Sequence, residues 1–192
     1  METVKNKTEL VVIGGSAGSL QVILEMIKNL NKDLGFPILL VVHRKSHSVS
    51  ILPALLQQFS SVDVIELEDK TEIFKNKIYI APADYHSLFE NTKAISLDSS
   101  ERINYSRPSI DVTFKSAAEM YGENLVGILL SGANADGVEG LEYIKKNKGK
   151  VWIQDPETAE VDYMPRYALK KIEHDLIITP HDLAKHINHL SL

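Results

Sequence analysis

Short apolar runs alternate with amphipathic stretches along most of the chain. LVVIGG, from Leu10 to Gly15, reads as a buried strand. Leu20, Ile23, Leu24, Ile27 and Leu30 then recur at the spacing of a helix that buries one face. Ser19 stands where it would cap that helix. FPILLVVH, ending at His43, repeats the strand pattern, and SILPALLQQF, Ser50 to Phe59, predicts a second helix with Pro53 in its first turn. This order implies a parallel sheet with helices on its faces, joined by right-handed crossovers.

The middle of the chain breaks the rhythm. VDVIEL, KIYIAP, YHSLFE and KAISLD, all within Val62 to Asp98, leave little room for helices between them and predict a local antiparallel hairpin or meander. Alternation resumes with a helix from about Ser109 to Tyr121, the strand LVGILLS (Leu125 to Ser131) and a helix around Val138 to Lys146. The strand VWIQ, a helix near Pro165 to Ile172, the strand LIIT and a terminal helix follow. The fold class expected is α/β: a doubly wound, mostly parallel sheet with helices on both faces and a local antiparallel hairpin region. The polar segment Ser99 to Ser106 reads as the most mobile loop.

Composition narrows the function. With 192 residues and 44% hydrophobic content, the whole chain, residues 1–192, is expected to form one domain with a sizeable core. A net charge of -5 argues against a nucleic-acid partner. No apolar run approaches the roughly 20 residues that span a bilayer, and the N-terminus lacks the apolar segment of a signal peptide, so a cytoplasmic protein without membrane insertion is expected. The absence of cysteine removes disulfides, thiolate nucleophiles and Cys-based zinc sites.

The loop after the first strand carries the first candidate chemistry. The dinucleotide fingerprint GxGxxG fails because Ser16 and Ser19 occupy its second and third glycine positions, and a Walker loop fails because Ser19 and Leu20 stand at its glycine and lysine. A nucleotide-binding module is therefore disfavoured. GxSxG does fit, as Gly14, Ser16 and Gly18 between strand and helix, where a serine hydroxyl can be exposed on a tight turn. Backbone N–H groups near Ala17, at the helix start, are candidate donors to an oxyanion. An ordinary strand-to-helix turn would use the same small residues.

A serine nucleophile needs an imidazole in reach and a carboxylate to orient it. Of the seven histidines, His43 ends the second strand and so emerges at the same sheet edge as Ser16. His47 falls in a loop and His86 in the hairpin region, while His174, His181, His186 and His189 lie in the C-terminal quarter. The HxxH pair His186 and His189 lacks an arranged third ligand and reads as a solvated face, so no metal and no cofactor are expected. LLSGANADGVEG, Leu129 to Gly140, is again a strand running into a glycine-rich turn and a helix, with Asp136 in the turn. Asp136 is either an N-cap of that helix or the third member of a triad with Ser16 and His43. The order Ser, His, Asp differs from that of α/β-hydrolases, which disfavours a standard member of that fold.

At these residues the chain resembles the catalytic domain of the CheB-type protein-glutamate methylesterases, from about Glu9 to Leu190. The motifs are IGGSAGS, LVVHR, LSGANADGVEG, IYIAPADYH, the RPSID run at Arg107 to Asp111, and QDPETAEVDYMPRYA. The resemblance implies Ser16 as nucleophile, His43 as base and Asp136 as orienter. It implies hydrolysis of glutamate methyl esters on the helical cytoplasmic domains of chemoreceptors, with deamidation of glutamines there, and Arg44, Lys45, Arg107 and Arg166 are candidates to meet acidic receptor helices. Two features depart from the family pattern. Only about eight residues precede the first strand, where members commonly carry a receiver domain, so phosphorylation control through a fused domain is not expected, and separate signalling regulators are candidate partners. Ala133 and Asn134 replace a common Met-Gly beside Asp136. The competing reading is a non-catalytic binding or scaffold domain with the same fold.

Overall fold

A computed structural model describes residues 7–45 and 50–191. Its seven-stranded sheet is parallel throughout and runs in the order β10-β9-β8-β1-β2-β5-β3. The strands are β1 (Leu10–Gly15), β2 (Ile38–Val42), β3 (Asp63–Glu66), β5 (Lys77–Ile80), β8 (Leu125–Leu129), β9 (Lys150–Gln154) and β10 (Leu176–Ile178). A second sheet, in the order β4-β7-β6, is antiparallel and consists of β4 (Thr71–Glu72), β6 (His86–Asn91) and β7 (Ala94–Asp98). The helices are α1 (Ser19–Lys28), α2 (Leu52–Phe59), α3 (Ile110–Tyr121), α4 (Val138–Lys146), α5 (Tyr163–Lys171) and α6 (Leu183–His189).

The central strands are apolar at every position because both of their faces are covered. Within β1, Val11 and Ile13 pack toward Val22, Ile23 and Met26 of α1, Leu56 of α2 and Ile187 of α6. Leu10 and Val12 belong to the opposite core, with Phe114 of α3, Leu141 of α4 and Ala168 of α5. Successive side chains of a strand point to opposite faces, so one continuous apolar run feeds two cores. The small sheet docks beside α3, where the Phe89 amide donates to Ser116 Oγ at 2.8 Å and Thr113 Oγ1 donates to the Ser87 carbonyl at 3.1 Å.

The parallel sheet, the helices on both faces and the YHSLFE–KAISLD hairpin agree with the sequence reading. DVIE and KIYI do not: β3 and β5 pair parallel, Asp63 with Lys77 through Glu66 with Ile80, and extend the main sheet. A parallel connection needs a crossover. Here Leu67 to Asn76 supplies one without a helix, by sending β4 into the second sheet. Ser19 is also corrected. The N-cap of α1 is Gly18, and Ser19 is the first helical residue, fully buried, with its hydroxyl turned back onto the Ser16 carbonyl at 2.7 Å.

Gly140 lies inside α4, where glycine normally costs helix stability. A Cβ there would stand 2.6 Å from Phe114 Cβ and 3.1 Å from Asp111 Cα, atoms that cannot swing away. Gly140→Ala is therefore expected to lower stability by about 1–3 kcal/mol, against its helix propensity. A melting curve reads the effect, and an unchanged or raised Tm would contradict this packing.

Candidate active site

The chain reverses direction across the sheet between β1 and β8: β1 leads out to β2, whereas β8 leads the other way to β9. Ligands of open α/β sheets bind in the crevice at the carboxyl ends of strands flanking such a switch point. Ser16 follows β1, His43 follows β2, and Asp136 lies in the turn between β8 and α4. Gly15 pairs with Val42 across β1 and β2, and the His43 amide donates to the Gly15 carbonyl at 3.1 Å, so Ser16 and His43 follow each other in register. His43 Nε2 meets Asp136 Oδ2 at 2.6 Å. Among the described residues Nδ1 has no hydrogen-bond partner, and it is the ring nitrogen left to receive a proton.

The Ser16 turn is held by buried polar groups. Its amide donates to the Ser131 carbonyl at 2.9 Å, and its carbonyl accepts from the amide and the hydroxyl of Ser19. Ser131, fully buried, donates its hydroxyl to the Ala17 carbonyl at 2.7 Å and pins the Ala17–Gly18 peptide. Gly18 adopts φ 80 against Ser131 and Glu160, where a Cβ would lie 2.7 Å from Glu160 Cβ. The glycine of GxSxG is thus required both by its dihedral and by the close approach.

Asp136 is wholly buried, and both of its oxygens are used. Oδ1 accepts from Ser109 Oγ and the Asp111 amide, each at 3.0 Å, and Oδ2 accepts from the Ile110 amide at 2.7 Å in addition to His43. The N-cap of α4 is Gly137, which makes no side-chain cap. Asp136 therefore sits at the N-terminus of α3 instead, where unpaired amides and the helix dipole favour an anion. Burial pushes its carboxyl upward, but the His43 contact and the Asp111 and Ile110 amides outweigh this and hold it below the ordinary aspartate range. A carboxyl lowered on folding contributes stability above its unfolded value near pH 4, and that stability is lost as pH falls through the folded value.

Three further residues complete the network; they lie in the RPSID and IYIAPADYH motifs, which by themselves imply no role for them. Ser109 caps α3 by accepting from the Val112 amide while donating to Asp136. His86 is buried, accepts from the Ser109 amide through Nδ1 at 3.1 Å and contacts the Glu101 carbonyl through Nε2 at 2.9 Å. Asp111, 2% exposed, accepts from the Gly140 amide and Asn104 Nδ2. A serine just before an amphipathic run is a readable capping signal, which was available for Ser109. His86 closes the IYIAPADYH motif, but nothing in the local spacing points to its partners, which come from distant segments.

Burial pushes the Asp111 carboxyl up to about 6; the Gly140 amide opposes the shift and the Asp136 charge adds to it. A carboxyl raised on folding destabilises the protein as pH climbs from its unfolded value through its folded one. Asp111→Asn keeps an acceptor for Gly140, and Asn104 can turn its amide to match. The variant is expected to melt above wild type at pH 7 and to lose that advantage by about pH 4. Thermal melts across this range check it, and a difference independent of pH would contradict the assignment.

Of the other candidates, Arg44 is committed to Ser50, Glu66 and the Ala81 carbonyl, tying the ends of β2, β3 and β5 together. Arg166 pairs with Asp162 and Glu157 on the surface. His186 packs edge-on against Trp152 with centroids 6.0 Å apart. His47 lies outside the described residues.

The switch point of this doubly wound sheet thus carries a serine at the end of one strand and, at the end of the next, a histidine paired with a buried aspartate. The chain belongs to the CheB methylesterase family, whose profile matches residues 11–187. A Leptospira interrogans protein provisionally named protein-glutamate methylesterase/protein-glutamine glutaminase is 39% identical over 177 residues, covering 92% of each chain. A Thermotoga maritima protein-glutamate methylesterase/protein-glutamine glutaminase is 34% identical over 173 residues, 88% of this chain and 50% of that longer one. The crystal structure of the Thermotoga maritima CheB methylesterase catalytic domain superposes with a TM-score of 0.91 at 32% identity, covering 96% of this chain and 99% of that one.

Proposed function

We propose that this protein hydrolyses γ-methyl esters of glutamate side chains on the cytoplasmic helices of methyl-accepting chemoreceptors, and deamidates receptor glutamines at the same site. The observation that carries the reading is the 2.6 Å contact between His43 Nε2 and the buried Asp136 carboxylate, in register beside Ser16. Ser16 Oγ attacks the ester carbonyl carbon while His43 Nδ1 takes the hydroxyl proton, and Asp136 stabilises the imidazolium that forms. The tetrahedral oxyanion is met by backbone N–H groups at the start of α1, near Ala17. As the intermediate collapses, the C–O bond to the methoxy group breaks and His43 returns the proton to release methanol. Water then attacks the acyl-serine with the same proton transfers, freeing a glutamate carboxyl and Ser16. With a glutamine side chain, ammonia leaves in place of methanol.

Methanol release from a methylated receptor fragment tests the reading. In this account the protein acts in the cytoplasm, where the receptor helices lie. Among the described residues, no helix is long and apolar enough to cross a membrane.

A further inference from the structure

A cavity of about 210 Å3 opens directly beside His43, and its lining includes Arg44, Lys45, Arg102, Tyr105 and Arg107. No carboxylate of the described residues lines it, although the chain as a whole carries a net charge of -5. Two of the cations are turned inward. Arg44 is committed to Glu66 and its neighbours, and Arg107 Nη1 donates to the Ser99 and Ser100 carbonyls at 2.8 Å each, closing the base of the loop. Among the described residues the outer pair is less engaged: Lys45 is exposed, and Arg102, 56% exposed, makes one looser ion pair, with Asp84 at 3.5 Å.

Tyr105 tops this loop with 96% of its surface exposed. Ile103 and Ser106 exchange both backbone hydrogen bonds, at 3.1 and 2.9 Å, around Asn104 (φ 50) and Tyr105 (φ 60). This is a two-residue hairpin turn whose second position normally belongs to glycine. The turn is anchored, since Asn104 Nδ2 donates to Asp111 Oδ2 at 2.9 Å and the Asp111 amide donates to Asp136. The segment read from sequence as the most mobile loop is thus tied to the network that holds His43. A bulky aromatic kept in a glycine conformation, fully exposed and on a fixed base, makes no packing contribution that would explain it. Tyrosine and arginine are also the side chains that most often dominate protein interfaces.

We propose that Tyr105, Arg102 and Lys45 form a docking lip that grips the carboxylate-rich protein segment carrying the ester and lays it across His43. The inference rests on the esterase reading above, which supplies the occupant. The cationic lining, with no carboxylate among its described residues, matches a segment that carries unmodified glutamates beside the ester.

The test uses the Ser16→Ala protein, which binds without turning over, and a fluorescent helical peptide with one glutamate γ-methyl ester flanked by glutamates one turn away on either side. A second peptide carries glutamines at the flanks. The lip predicts tighter binding of the glutamate-flanked peptide, and a rise in its Kd of about tenfold or more when Arg102→Ala and Tyr105→Ala are combined. The preference over the glutamine-flanked peptide should disappear with it. Tyr105→Gly satisfies the turn's dihedral, so the loop persists; it should still weaken binding. Lys150→Ala, at the opposite edge of the sheet, should leave Kd unchanged. No measurable binding, equal affinity for the two peptides, or a Kd indifferent to both lip variants would overturn the proposal. Methanol release from the same peptide by the wild-type protein judges the esterase reading separately: lip-dependent binding without release would sink that reading and keep the lip.

Discussion

Ser16→Ala should reduce turnover of glutamate methyl esters by about 10⁵- to 10⁶-fold, the order of loss seen when a triad serine is removed. The size follows from the role: without the hydroxyl there is no acyl-enzyme, and the remaining groups can only assist direct attack by water. The fold should be indifferent. Among the described residues, the turn is held by the Ser16 backbone, through Ser131 and Ser19, and by no hydrogen bond from its hydroxyl. The stability change should stay within about 0.5 kcal/mol. Turnover and a melting curve on the same preparation check both halves. A variant that keeps more than a small fraction of wild-type turnover would move the nucleophile elsewhere.

Asp136→Asn carries the second large effect. Asparagine favours the wrong imidazole tautomer and cannot stabilise the imidazolium, so turnover should fall by about 10⁴-fold, as in the serine protease case. A residue that only caps a helix would tolerate the change, because asparagine caps about as well as aspartate. In this protein the carboxylate also accepts from the Ile110 and Asp111 amides and from Ser109 Oγ, and an amide nitrogen placed on either side must face a donor. A stability loss of about 1–3 kcal/mol is therefore expected alongside the kinetic one. Assays well below the variant's Tm separate the two. Unimpaired turnover in the folded variant would remove Asp136 from the mechanism and leave it as an anchor for α3.

The placement of Ser16, His43 and Asp136 at one edge of the sheet was legible because each follows an apolar run long enough to be read as a strand, and parallel strands deliver their C-terminal ends to one edge. The two-sided burial of β1 was legible for the same reason. Strand partnership was not. DVIE and KIYI have the periodicity of hairpin strands, and nothing local distinguishes a hairpin from a crossover that detours through β4. The capping role of Asp136 was read on the wrong helix, because α3 begins far from it in sequence and only the folded chain brings the Ile110 and Asp111 amides to its oxygens. His86 escaped for the same cause: its link to Ser109 joins the small sheet to α3, a contact that no spacing rule encodes. Ser19 misled because a serine before a helical pattern signals a cap, whereas here it locks the Ser16 carbonyl.

The most direct test measures methanol released from a methylated chemoreceptor fragment by the wild-type, Ser16→Ala and Asp136→Asn proteins side by side at matched folded concentration. Many equivalents of methanol are expected from the wild-type protein, a trace from Asp136→Asn and background from Ser16→Ala. Equal background release from all three would contradict this and leave a receptor-binding scaffold in place of an esterase.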